Sequence, residues 1–185
     1  MKSIIFTCLI LFSSVMMSQN DKQEQDIKKN EASLNVFNLL VFKCLDFSYE
    51  HYLNDESGAG ISIMMSLEGE ERLDKDGPYY FESFMVTGFY KFYFGQKPNS
   101  GLFSELFTSF TQGIYDDYYD DALSNYSYRR EDFSQFAVGL TIGVKYRSKQ
   151  GFVGSVFGGV GRNFLNTDKT PAVTPRVGIT LGYGF

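Results

Sequence analysis

The 185-residue chain has no tryptophan, a single histidine and two cysteines, and each scarcity excludes something. Without tryptophan, any aromatic girdle at a membrane interface must be built from the 13 tyrosines and 19 phenylalanines. With His51 alone, there is little material for a histidine-based catalytic constellation. Cys8 falls within an N-terminal apolar stretch; once that is removed, Cys44 has no partner and an internal disulfide is excluded. Beyond the N-terminus there is no run of about 20 apolar residues, which excludes a membrane-spanning helix. The net charge is −5 and the basic residues are scattered, so nothing points to nucleic acid.

The N-terminus reads as a secretory signal peptide. Lys2 supplies the positive region, Ile4 to Val15 the apolar stretch, and Met17-Ser18 a small-residue exit before polar Gln19. Cleavage is expected after Ser18. Cys8 lies too early, inside the apolar stretch, to become a lipid-modified first residue. Residues Gln19 to Asn30 are polar and without periodicity, and read as a short periplasmic leader. Residues 31–185 are expected to form one domain.

Alternation is the strongest signal in the chain. Val177, Ile179, Leu181, Tyr183 and Phe185 interleave with Arg176, Gly178, Thr180, Gly182 and Gly184, a period of two that marks a strand with one apolar and one small or polar face. The same pattern runs through Phe133 to Arg147: Phe136, Val138, Leu140, Ile142, Val144 and Tyr146 face outward, and Ala137, Gly139, Thr141, Gly143, Lys145 and Arg147 inward. Working back from the C-terminus, further strands are expected at about Gly151 to Arg162, Gly101 to Tyr115, Tyr79 to Phe94, Gly58 to Leu67, Lys43 to Leu53 and Glu31 to Phe37. Asn38 to Phe42 would connect the first two; the alternative is one long bent strand through that region.

Short links (Asn54 to Ser57, Gly95 to Ser100, Ser148 to Gln150) alternate with longer polar ones (Glu68 to Pro78, Asp116 to Asp132, Asn163 to Thr174). Outer-membrane barrels show this asymmetry, with short periplasmic turns and long extracellular loops. About ten residues at roughly 3.3 Å each, tilted by about 40°, rise roughly 25 Å, the height of a membrane barrel's apolar band. The expectation is an all-β fold, an eight-stranded antiparallel transmembrane β-barrel. A soluble barrel also alternates, but its outer face would carry many Lys and Glu residues. Here the polar face is mostly Gly, Ser, Thr and Ala, suited to a crowded lumen, while Phe, Tyr, Leu, Val and Ile suit lipid.

Several segments carry a family resemblance: Asp46-Phe47-Ser48-Tyr49-Glu50-His51-Tyr52-Leu53, Tyr90-Lys91-Phe92-Tyr93-Phe94-Gly95, Gly101-Leu102-Phe103-Ser104-Glu105, Gly158-Gly159-Val160-Gly161-Arg162 and Gly182-Tyr183-Gly184-Phe185. With these the chain resembles the small outer-membrane barrels of OmpA-like and OmpX-like architecture, and is most similar to barrel families described only as domains of unknown function. The resemblance implies export to the cell outer membrane, with Tyr183 and Phe185 in the closing strand as the assembly signal. No peptidoglycan-binding domain follows the barrel, so that anchoring role does not carry over.

Register places Asp46, Glu50, Lys91, Glu105, Lys145, Arg147 and Arg176 on the lumen face. Buried charges are costly unless paired, so these are expected to form a network, with Glu50 and Glu105 against Lys91 and Lys145 at its core. Such a network either gates a narrow ion path or plugs the lumen, and the small bore of eight strands favours the plug. Asp116, Asp117, Asp120 and Asp121 fall in the longest expected extracellular loop. Four carboxylates suit Ca²⁺, but they lack the ligand order of an EF-hand, so a solvated acidic loop is expected and no metal is assigned. Arg129 and Arg130 compensate them locally. His51 is expected at the periplasmic end of the second strand on the lipid side, and Cys44 as a small buried residue near its outer end. Gly158-Gly159-Val160-Gly161 lacks the Lys-Ser/Thr pair and following helix of a phosphate loop, and reads as close strand packing.

The functional expectation is a non-enzymatic structural or accessory protein acting through its extracellular loops, without a cofactor. The alternative is a narrow pore or small-ligand binder using the lumen charges. Expected partners are membrane lipid and surface glycolipid, the barrel-assembly machinery during insertion, and a larger outer-membrane complex.

Overall fold

The computed structural model describes residues 28–69, 81–120, 126–165 and 172–185. Strands β1 (Asn30–Asn35), β2 (Cys44–Asn54), β3 (Ser57–Ser66), β4 (Glu82–Tyr93), β5 (Gly101–Asp120), β6 (Tyr126–Arg147), β7 (Phe152–Asn163) and β8 (Val173–Gly184) pair in sequence order. β1 pairs with β8 to close the barrel, and the neighbours are antiparallel throughout. The alternation read from the sequence therefore folds as an all-β, eight-stranded antiparallel barrel. The expected signal peptide, residues 1–18, lies outside the described residues.

The outside of this barrel is apolar. Phe47, Tyr49, Ile61, Ile63, Met65, Leu102, Leu106, Phe110, Phe136, Val138, Leu140, Ile142, Val144, Val156, Val160, Ile179 and Leu181 are all exposed. They come from strands all round the ring, and patches on soluble monomers are far smaller and scattered. The inward positions of the same strands are buried, among them Ser109, Thr111, Thr141, Ser155 and Thr180. A water-soluble barrel would reverse the two faces.

Two sequence expectations change. The segment Asp116 to Asp132 is not a loop: β5 runs on to Asp120 and β6 begins at Tyr126. The pairing sets Asp117 opposite Arg129, Asp116 opposite Arg130 and Tyr118 opposite Tyr128. β4 pairs with β5 only as far as Gly113, and β7 pairs with β6 only from Ala137. Among the described residues the two strands beyond pair only with each other, a ribbon extending about 20 Å past the wall at strand rise.

The second change lies between β1 and β2. The expected strand ending at Phe37 stops at Asn35, and a short helix, α1 (Val36–Val41), follows. This also rules out the single bent strand. Asn35 terminates the strand with its side chain. Its Oδ1 accepts from the backbone N–H of Asn38 (3.3 Å), capping α1, and from that of Ile179 in β8 (3.3 Å). Its Nδ2 donates to the Val177 carbonyl (3.2 Å) and to Asp46 Oδ2 (3.0 Å). One side-chain amide thus stands in for the peptide of the strand that ended. Above it β8 has no strand partner on this side, and α1 packs in the gap against β2 and β8. Ile179 turns its amide toward β1, so Pro175, two rungs pairs higher, would direct its missing N–H at the same open edge, where proline is tolerated. Replacing Asn35 by Ala is expected to cost about 1–3 kcal/mol, the range for stranded buried polar groups. Hydrogen exchange at the Ile179 amide should speed up; unchanged exchange there would refute the substitute-strand role.

Candidate functional site in the barrel lumen

Period two delivers the site. On β2 the even residues face inward, bringing Cys44, Asp46, Glu50 and Tyr52 to the interior; on β5 and β6 the odd residues do so, bringing Phe103, Glu105, Phe107 and Lys145. Six charged side chains meet inside the barrel. Lys145 Nζ lies 2.9 Å from Glu31 Oε2 and 3.0 Å from Glu50 Oε2. Lys91 Nζ lies 2.8 Å from Glu50 and 3.7 Å from Glu105. Arg176 Nε closes the series 2.9 Å from Glu105 Oε1. Three carboxylates and three cations balance, which is the condition for burying charge at a tolerable cost.

Two tyrosines complete the chain. Tyr93 donates its hydroxyl proton to Glu50 and accepts from Lys145 Nζ at 3.0 Å. Tyr52 donates to Glu31. All three protons of the Lys145 ammonium therefore have acceptors: Glu31, Glu50 and Tyr93. The lysine is 2% exposed and is held from both β1 and β2 across the lumen.

The remaining charges named from the sequence lie apart. Asp46 is buried and accepts from two amides, Asn35 Nδ2 and Asn38 Nδ2 (2.8 Å), beneath α1. Arg147 lies at the opposite end, where it donates to the Lys28 carbonyl (2.7 Å) and covers the Tyr52 ring. Glu105 is held by Arg176 and Lys91. His51 sits exposed on the rim near the short links, its Nδ1 2.8 Å from Asn30 Oδ1. Cys44 is buried at the other rim. Tyr183 and Phe185 are both exposed; Phe185 exchanges backbone hydrogen bonds with Asn30 (2.8 and 3.1 Å), and Lys28 donates to the Tyr183 hydroxyl (2.8 Å). Asp116, Asp117 and Asp120 belong to the β5–β6 ribbon, and Asp121 lies outside the described residues.

Sequence reasoning missed Glu31, Tyr52, Tyr93 and the inward rings. Parity would have found Tyr52, which stands two residues from Glu50 and so on the same face. Glu31 was harder, because β1 is too short to show a period. The rings follow a rule visible only once register is known. Phe89, Phe103, Phe107, Phe133 and Phe157 point inward, and each stands directly opposite a glycine on a neighbouring strand: Gly60, Gly143, Gly139, Gly113 and Gly178. A ring fills the volume its opposite glycine leaves, as the tight interior of eight strands requires.

Little space remains. One cavity, between Ser33, Ser48, Ser155, Thr180 and the charge chain, has about 20 Å³ open to water centres, room for a water or two and no larger solute. A second of similar size lies beneath α1, lined by Asn38, Asp46, Met64, Met85 and Pro175. Tyr52 and Tyr93 of the charge chain also pack with Phe103, and Phe157 lies against them.

These features define a class: a closed eight-stranded barrel, apolar outside and filled inside by a neutral chain of charges and by rings seated on glycines. No protein-family profile matches the chain, and no curated protein matches it in sequence. Among solved structures, the chain is similar to the N-terminal β-barrel domain of Pseudomonas aeruginosa OprF. The identity is 13% and the TM-score 0.48, over 84% of this chain and 95% of that one.

Proposed function

We propose that this protein is a non-enzymatic barrel of the outer membrane whose lumen is a polar plug, and whose work is done by what it presents beyond the membrane. One observation carries the plug: Lys145 directs all three of its protons to Glu31, Glu50 and Tyr93 inside the lumen, and Tyr93 packs on Phe103. Ion conduction would have to break these bonds without replacing them. The apolar outer face supports the membrane setting. On this reading residues 1–18 direct export, the assembly machinery recognises the closing strand with Tyr183 and Phe185, and lipid and surface glycolipid surround the barrel. The β5–β6 ribbon, with its acidic and tyrosine-rich sequence, is the surface offered to an outer-membrane complex.

Planar-bilayer recording tests the plug. The expected result is silence, both in the native protein and in Lys91→Ala; discrete conductance steps that change in Lys91→Ala would make it a narrow pore instead. That second reading draws on the hydroxyl-lined cavity above the charge chain. Replacing residues 115–131 with a short turn tests the ribbon. Proteins that co-purify from mild detergent should be lost while the barrel still folds, and retention of all of them would remove the ribbon from the proposal.

A further inference from the structure

The described residues contain four sulfur side chains, Cys44, Met64, Met65 and Met85. Three of them, on three adjacent strands, meet in one buried cluster at the α1 end of the lumen. Cys44 is 1% exposed, Met64 4% and Met85 9%, and Phe42 packs over them. Register brings them together: Met64 and Met85 face each other across β3 and β4, and Asp46, two residues from Cys44, faces Met64 across β2 and β3. Met65, the next residue, faces outward and is exposed.

The cluster adjoins open space. Met64 and Met85 line the small cavity beneath α1, together with Asn38, Asp46, Ser62 and Arg176. Asn38 Oδ1 is buried in this wall and has no hydrogen-bond partner among the described residues. It is one of seven buried side-chain atoms of this kind among the described residues, and strain, an ordered water or a bound ion accounts for such an atom. This wall is also the one that α1 closes in place of a strand, so the cavity lies at the least continuous part of the barrel.

We propose that Cys44, Met64 and Met85 form a binding site for a soft monovalent metal ion, Cu(I) or its redox-inert counterpart Ag(I). Thioether and thiolate sulfur select soft d¹⁰ ions over the hard cations that take oxygen. Charge points the same way. One thiolate neutralises one monovalent ion, and two thioethers add donors without charge, so the complex can be buried without a counter-ion. A divalent ion would leave a net positive charge in the wall. Binding breaks the Cys44 S–H bond and forms an S–metal bond; the proton passes to buffer and no electron moves. Asp46 and Arg176 contribute one charge of each sign to the same cavity.

The test uses the full barrel refolded in detergent, titrated with Cu(I) under anaerobic, reducing conditions against bicinchoninate, with Ag(I) as a parallel probe. The expected result is one ion per chain. Met64→Leu with Met85→Leu, or Cys44→Ser, should weaken binding by about 100-fold, the upper end of what disturbing a metal's surroundings costs. Met→Leu keeps volume, and heat-dependent electrophoretic mobility verifies that each variant is folded. Met65→Leu is the control and should bind like the native protein. No binding by the native protein, or equal losses in Met65→Leu and the cluster variants, would overturn the proposal. The readout is independent of conductance and of co-purifying partners.

Discussion

Glu50→Ala is expected to destabilise the folded barrel by about 3–5 kcal/mol, the cost of breaking a buried ion pair from one side. Glu50 is 2% exposed and accepts from Lys91, Lys145 and Tyr93. Its loss leaves two ammonium groups facing each other in a lumen that has room for only a water or two in its place. Lys145 keeps Glu31 and Lys91 keeps Glu105 at 3.7 Å, so the barrel should weaken rather than fail to form. Glu68→Ala supplies the contrast. Glu68 also makes a short ion pair, 2.7 Å to Lys43, but that lysine is largely exposed, and pairs of this kind contribute about 0–1 kcal/mol. Urea titration of the refolded protein in lipid vesicles measures both. Equal effects of the two substitutions would mean that the lumen chain fills space without governing stability.

Gly143→Leu is expected to prevent most of the chain from reaching the heat-resistant folded form. A Cβ at Gly143 would lie 2.6 Å from Cζ of Phe103, 2.6 Å from the Val156 carbonyl oxygen and 2.7 Å from Cβ of Phe157. Ring and backbone block it together, so no single rotamer change relieves the overlap. Extra methylenes in a packed interior cost about 1–3 kcal/mol or more, and here even the first carbon does not fit. Gly158→Leu is the matching control. Gly158 faces outward on the next strand, nothing stands within 4 Å of an added Cβ, and the change should stay within about 0.5 kcal/mol. Folded and unfolded forms separate by electrophoresis without boiling. A folded Gly143→Leu barrel as abundant as Gly158→Leu would show that the ring seats are slack.

How far the sequence could be read depends on which physical signal dominated each segment. Where one face is lipid-like and the other small, as in β6 and β8, alternation fixes register residue by residue. Asp46, Glu50, Lys91, Glu105, Lys145 and Arg176 reached the interior by parity alone. Their pairing was partly legible: Glu105 was matched in prospect to lysine and does lie 3.7 Å from Lys91, but the closed ring also brings Arg176 of β8 to it at 2.9 Å. Partner choice across a lumen depends on curvature and stagger, which no local pattern records. At the β5–β6 ribbon the misleading signal was aspartate content, which mimics a solvated loop; Arg129 and Arg130, read only as local charge compensation, are the residues that face Asp117 and Asp116 across the rungs. At Val36–Val41 the run is apolar except for Asn38, and neither period shows. Its helical start rests on Asn35, one side chain of whose four hydrogen bonds two exist only after β8 has arrived beside it.

The lumen charges also bear on how the barrel is made. Glu31 lies on the first strand and Arg176 on the last, while Lys145 on β6 takes partners from β1 and β2. These pairs connect opposite walls and do not exist in an open sheet. A sheet entering hydrocarbon before its edges meet would carry unmatched ammonium groups, each costing about 2.5–3.5 kcal/mol at mid-membrane. On the outer-membrane reading, partly closed intermediates in the bilayer would therefore be disfavoured, and ring closure and membrane entry would become one cooperative step, with the electrostatics acting as a proofreading requirement on insertion.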